Sequence, residues 1–207
     1  SRIDSAGPSR GFCGTLRHYQ VTGQNWLGFL TSLGLGACLA DDMGLGKTIQ
    51  VLALLLHLKE NGKKQKNPSL LVLPASLLAN WRDEIERFAP TLQACFVHPS
   101  EMEKSELAAI GADPGRALTS KDLVLTTYGM LLRQPWLLEM EWELVILDEA
   151  QAIKNPAANQ TRAVKKLRAG AKVALTGTPV ENRLSDLWSI FDFLCPGLLG
   201  SAAKFKE

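Results

Sequence analysis

Six short apolar runs punctuate this chain: ACLA from Ala37, LLVL from Leu70, ACFV from Ala94, LVLTT from Leu123, LVIL from Leu144 and VALT from Val173. Each has the length of a strand. Most are separated by segments whose apolar residues recur at helical spacing. After Lys47, TIQVLALLLHLKENG is apolar nearly all round through Leu56, which suits a buried helix, and Gly62 offers its stop. Trp81, Ile85 and Phe88 fall at i, i+4 and i+7, so NWRDEIERF reads as an amphipathic helix with Asn80 as its cap. Leu184, Leu187, Trp188, Phe191 and Leu194 repeat the pattern before Pro196-Gly197. Strands that alternate with helices need crossover connections, and these make a largely parallel sheet covered on both faces. The predicted fold class is α/β, doubly wound.

With 207 residues, 46% of them hydrophobic and 21% charged, the chain has the material for one domain-sized core. The net charge of +2 neither demands nor excludes a polyanionic partner. The lysine-rich KENGKKQKN around Lys63 reads as a solvated loop, with phosphate contact as the alternative. Residues 100–111, SEMEKSELAAIG, suit a short helix followed by the loop ADPGRALTSKD. Cys13, Cys38, Cys95 and Cys195 are scattered, form no CxxC pair and lack neighbouring histidines. Free thiols and no disulfides are expected, and His18, His57 and His98 are given no chemistry. The apolar stretches 27–40 and 51–58 are too short to span a bilayer and the start lacks a signal-peptide core. The expectation is a cytoplasmic protein, nucleoid-associated if bacterial and nuclear if eukaryotic, with no membrane partner, a flexible lead-in over 1–14 and one domain over 15–207.

The stretch DDMGLGKT, residues 41–48, follows a predicted strand and opens a predicted helix. Glycines there let backbone N–H groups converge on phosphate oxygens while the helix N-terminus adds positive potential. The candidate cradle is Asp42, Met43, Gly44, Leu45, Gly46, Lys47 and Thr48. Lys47 would reach the β- and γ-phosphates, and Thr48 would hold Mg²⁺. The phosphate-loop pattern GxxxxGK[ST] fails only at its first position, where Asp41 stands. A glycine-rich turn with a chance GKT is the bland reading, and the flanking strand and helix weigh against it. About a hundred residues further on, ELVILDEAQ supplies an apolar strand ending in acids. Asp148 would orient Mg²⁺ and Glu149 would polarise an attacking water. Alone, such acids are ordinary caps; paired with GLGKT they read as catalytic.

LRHYQVTGQNWLGFL, DDMGLGKTIQ, LVLPASLLANWRDEIERF, LTTYGMLL, VILDEAQAIKN and LTGTPVENRLSDLWSIFDFL follow one another in the chain. In that order they resemble the first of the two RecA-like lobes of the Snf/Swi-type ATPases. These are the DNA-translocase and chromatin-remodelling branch of helicase superfamily 2, and the compact motif spacing is closest to bacterial or archaeal members. The resemblance runs from about Leu16 to the C-terminus. It implies a P-loop NTPase fold, ATP and Mg²⁺ as cofactors, duplex DNA as partner and a second RecA-like lobe in the full-length chain. The implied activity is ATP hydrolysis coupled to movement on duplex DNA. An isolated lobe, lacking the second lobe's arginines, is expected to turn over very slowly.

The family usually reads D-E-M-G-L-G-K-T; Asp42 replaces the glutamate, and either backbone capping or pairing with another motif's cation would suit Asp41 and Asp42. Gln20 matches the family's adenine-recognising glutamine; without the resemblance it reads as a surface residue. Thr176-Gly177-Thr178-Pro179 resembles the motif that couples nucleotide state to lobe movement, with Thr176 and Thr178 as coupling residues. Gln151 joins them, standing where the family most often has histidine, and it cannot titrate. PASLLANW and LTTYG resemble strand-gripping motifs, giving Ser76, Asn80, Thr126 and Thr127 as backbone-phosphate contacts, and Lys154 more remotely. Ser76 and Asn80 fit helix caps equally well, and Thr126 and Thr127 fit ordinary strand residues. Trp81, Tyr128 and Trp188 fit core packing better than base stacking. The competing functions are an RNA-acting or strand-separating helicase of the same superfamily and a non-catalytic scaffold. A transporter motor fits less, because no LSGGQ-like signature lies between the nucleotide motifs.

Overall fold

The computed structural model describes residues 9, 11–42, 44–61, 67–177, 184–201 and 205. Met43, Thr178, Pro179, Gly62, most of the lysine-rich stretch and most of the expected lead-in lie outside these described residues. The six apolar runs all become strands: β1 (Ala37–Leu39), β2 (Ser69–Leu73), β3 (Ala94–Val97), β4 (Leu123–Thr127), β5 (Glu141–Leu147) and β6 (Arg168–Leu175). They form one sheet in the order β1-β6-β5-β2-β4-β3, and every pairing is parallel.

The helices are α1 (His18–Ser32), α2 (Lys47–Asn61), α3 (Leu78–Phe88), α4 (Lys104–Ala112), α5 (Pro114–Ala117), α6 (Met130–Arg133), α7 (Trp136–Glu139), α8 (Asn159–Lys165) and α9 (Leu184–Leu194). Two apolar cores flank the sheet because consecutive strand residues point to opposite faces. Leu71, Leu73, Leu123, Leu125, Leu144, Ile146, Val173 and Leu175 meet α1, α2 and α3 on one side. Leu70, Val72, Val124, Val145, Leu147 and Ala174 meet α4, α6, α7, α8 and α9 on the other. Crossovers that run outward from β1 through β2 to β3 use α2 and α3, and those that return through β4 and β5 to β6 use the opposite layer. This is the doubly wound α/β arrangement expected from the alternation.

α2 buries every residue from Gln50 to Leu56, as an all-round apolar helix wedged between sheet and α1 must. Three local expectations shift. A 3₁₀ turn over Ala75–Leu77 leads directly into α3, which starts at Leu78. Asn80 therefore sits inside the first turn, exposed, and is not the cap. In α9 the fully buried aromatic is Phe193 with Ile190 beside it, while Phe191 is half-buried. In the expected loop after α4, Asp113 Oδ1 accepts from Arg116 N at 3.1 Å and starts the single turn α5. Among the described residues no helix is long and apolar enough to cross a membrane.

Candidate nucleotide site at the carboxyl edge of the sheet

Since all strands run the same way, the segments following β1, β2, β4, β5 and β6 emerge along one edge, where open α/β sheets hold their ligands. The loop after β1 turns on two glycines with left-handed backbone, Gly44 at φ 82° and Gly46 at φ 79°. A Cβ on Gly46 would lie 2.4 Å from Gln20 Nε2, whereas one on Gly44 would meet nothing within 4 Å. The loop is thus tight against α1 at Gly46 and open at Gly44, which leaves a concave face of backbone ahead of α2. Gln20 is the brace. Its Nε2 donates to Leu45 O at 3.1 Å, its Oε1 accepts from Arg17 N at 2.8 Å, and Tyr19 OH donates to the same Leu45 carbonyl at 3.1 Å. Gln20 is buried, unlike the surface residue that the bare sequence suggests.

Lys47 Nζ donates to the carbonyls of Asp41 at 2.6 Å and Asp42 at 3.1 Å, which holds the ammonium across the mouth of its own loop. Asp41 Oδ2 accepts from Gln50 Nε2 at 2.9 Å, and Gln50 is buried within α2. The first acid of the pair therefore ties the loop to the helix it opens. Asp42 is exposed and lends only its carbonyl. Thr48 lies half-buried in the first turn of α2.

At the end of β5, Asp148 is held on every side. Its Oδ2 accepts from Trp81 Nε1 at 2.7 Å and its Oδ1 from Glu149 N at 2.9 Å. Its carbonyl accepts from Tyr128 OH at 2.7 Å, and its N–H donates to Val72 O at 2.9 Å. Burial pushes the Asp148 carboxyl above the ordinary aspartate value; the hydrogen bonds from Trp81 and Glu149 N oppose that rise, Glu149's charge adds to it and Lys47's charge pulls it back. The Lys47 effect matters for assembly: two residues about a hundred positions apart sit within electrostatic reach of one another. Burial and the Asp148 and Glu149 charges also raise Tyr128 well above an ordinary phenol, keeping it a donor.

Glu149 alone among the described non-glycine residues has positive φ, 50°, a left-handed turn that costs on the order of 1–3 kcal/mol and turns the chain sharply after the strand. Its carboxylate accepts from Gln151 Nε2. The same amide's Oε1 accepts from Thr176 Oγ1 at 2.9 Å, at the end of β6. Gln151 thus bridges the acid after β5 to the threonine after β6, without needing a proton of its own. Thr178 lies outside the described residues.

Of the phosphate-contact candidates, Ser76 is exposed on the 3₁₀ turn between β2 and α3, and Asn80 is exposed in the first turn of α3. Thr126 does not belong with them. It is fully buried in β4 and its hydroxyl donates to Val97 O at 3.0 Å, so the neighbouring strand takes the group a phosphate would need. Thr127, at the end of β4, is mostly buried, and Lys154 follows the 3₁₀ turn Ala150–Ile153. Trp81, Tyr128 and Trp188 are buried, as packing residues should be. What the sequence missed is that the first two also hydrogen-bond Asp148. The only signal for it was their place within the same two stretches that carried the DNA candidates.

The donor chemistry suits Mg²⁺ and a triphosphate. No cluster of three or more His, Cys, Asp or Glu stands ready to hold a metal among the described residues. Mg²⁺ typically takes one or two protein oxygens and completes its shell with phosphate and water, and Thr48 and Asp148 offer that number of hard oxygens.

Fold and loop together define a P-loop nucleotide-binding lobe of RecA type. The chain belongs to the SNF2-related domain family, whose pattern matches residues 19–207. YwqA of Bacillus subtilis is 48% identical over 200 residues, which is 96% of this chain and 21% of that protein. The Arabidopsis thaliana ATP-dependent DNA helicase DDM1 is 37% identical over 200 residues, 94% of this chain and 25% of that protein. The solved SWI2/SNF2 ATPase core of Sulfolobus solfataricus in complex with dsDNA superposes with a TM-score of 0.87 at 44% identity, covering 98% of this chain and 40% of that one. The chain spans about a fifth to a quarter of the length of these curated relatives.

Proposed function

We propose that this chain is the first ATP-binding lobe of a longer, two-lobed ATPase that couples ATP hydrolysis to movement along duplex DNA. The carrying observation is that β1, which leads into the Lys47 loop, and β5, which ends at Asp148 and Glu149, both run parallel to β6 between them, so the loop and the acid pair open on the same sheet edge. In this reading the backbone of Gly44 to Lys47 receives the phosphates and the N-terminal end of α2 favours their charge. Lys47 exchanges its two loop carbonyls for phosphate oxygens. Gln20, already bound to the loop, meets the adenine with the remaining hydrogen-bonding capacity of its amide. Mg²⁺, held through Thr48 and Asp148, would neutralise charge on the β- and γ-phosphates. Glu149 orients the attacking water and takes up its proton. Gln151 fixes the Glu149 carboxylate and reports its state to Thr176, from which a second lobe would be moved. Ser76, Asn80 and Thr127 would meet the phosphate backbone of one DNA strand, contacts that hold without reading sequence.

The test is hydrolysis by the full-length protein with and without duplex DNA. Lys47→Ala and Glu149→Gln should each lower the DNA-stimulated rate by roughly 10² or more, the range lost with a general base or a phosphate-stabilising cation. Wild-type turnover in either variant would reject the assignment.

A further inference from the structure

Trp81 lies on α3, the helix that follows β2, yet its indole N–H is fixed on Asp148 Oδ2, just past the end of β5, at 2.7 Å. We propose that Trp81 is a positioning residue for the Mg²⁺-binding carboxylate, an inference that rests on the nucleotide-site reading of Asp148. The geometry is selective. Indole has a single donor and no acceptor, so a Trp81 buried to 1% exposure can satisfy its N–H only by aiming it at an acceptor, and Asp148 supplies it. With Glu149 N on Oδ1 and Trp81 on Oδ2, each carboxylate oxygen has one fixed donor and keeps lone-pair capacity for a cation. The carboxylate plane is thereby set, and Tyr128 pins the backbone beneath it. Partners of this kind govern ligand orientation, and their loss commonly lowers metal affinity 10–100-fold.

The placement of α3 adds a physical route. Its first turn carries exposed Asn80 and follows the exposed Ser76 turn, and the next residue is Trp81. A shift of that turn moves the indole N–H with it.

The experiment uses the full-length protein and calorimetric titration of ATP at graded free Mg²⁺. Trp81→Phe, which keeps an aromatic ring and removes the donor, should raise the Mg²⁺ concentration for half-maximal ATP binding roughly tenfold or more. Its affinity for ATP in EDTA should match wild type, because the phosphate loop is unchanged. If Trp81→Phe fails to fold, β-(3-benzothienyl)alanine at position 81 replaces N–H by sulfur at nearly the same volume and should give the same rise. A wild-type Mg²⁺ requirement in the folded variant overturns the proposal and leaves the nucleotide site standing. Absence of any Mg²⁺-dependent ATP binding by the wild-type protein would remove both.

Discussion

At Gly46 two constraints coincide: a left-handed backbone and a neighbour, Gln20 Nε2, within the space of a Cβ. Alanine there pays about 1–2 kcal/mol for the left-handed conformation and must also displace the Gln20 brace. Gly44→Ala meets only the first of these, since its Cβ would face open space. Urea unfolding should therefore place the midpoint of Gly46→Ala below that of Gly44→Ala; equal midpoints would show that the brace contributes nothing. Cys38 provides a pH-dependent case. Burial pushes its thiol up to about 11, so the neutral form is the folded one and its contribution to stability is lost as pH rises from about 9 through about 11. At pH 8 iodoacetamide should modify exposed Cys13 and spare Cys38, as peptide mass mapping would read.

Among the elements, α9 shows how a helix can be identified correctly while its most deeply buried residues fall outside the stripe read from spacing. Leu184, Leu187, Trp188, Phe191 and Leu194 have helical spacing, and Trp188 and Leu194 are buried, but Ile190 and Phe193 are pressed deepest into the core. Both stripes are apolar, so periodicity alone has no means to choose between them. Phe193→Ala should cost about 3–5 kcal/mol in chemical unfolding and Phe191→Ala clearly less, because only the first opens a cavity in a closed core. α2 presented no such choice, since every side of it from Gln50 to Leu56 is covered. The strands were legible for a related reason. A parallel strand is apolar on both faces, which produces the continuous runs that mark all six. Thr126 and Thr127 close one of these runs, and whether such a hydroxyl faces outward or into the next strand depends on the register of β4 against β3.

For the whole molecule, the parallel sheet brings the segments after its six strands to one edge, which the proposed function gives to a nucleotide and a second lobe. A lobe of this type offers Lys47 as its phosphate cation, and in related phosphoryl-transfer systems an added arginine is worth 10³–10⁵ in rate. The isolated chain should therefore hydrolyse ATP at least about 10³ more slowly than the full-length protein with DNA. Duplex DNA should stimulate the full-length protein more than single-stranded DNA or RNA of equal length. Equal stimulation by RNA would move the proposal to an RNA-acting helicase.

The sequence by itself determined the layered α/β fold and located the candidate glycine-lysine loop and acid pair, because each depends on local order: apolar runs, glycines before a lysine, carboxylates after a strand. It also carried the family, through six motifs in succession. Only the tertiary structure decided that Asp41 anchors its loop through Gln50, that Thr126 faces inward, that Gln151 links Glu149 to Thr176, and that Trp81 reaches Asp148. The first is a side-chain bond across a single loop, between residues nine positions apart, and the others join groups brought together by the sheet order; neither kind of hydrogen bond leaves a periodic trace in the chain.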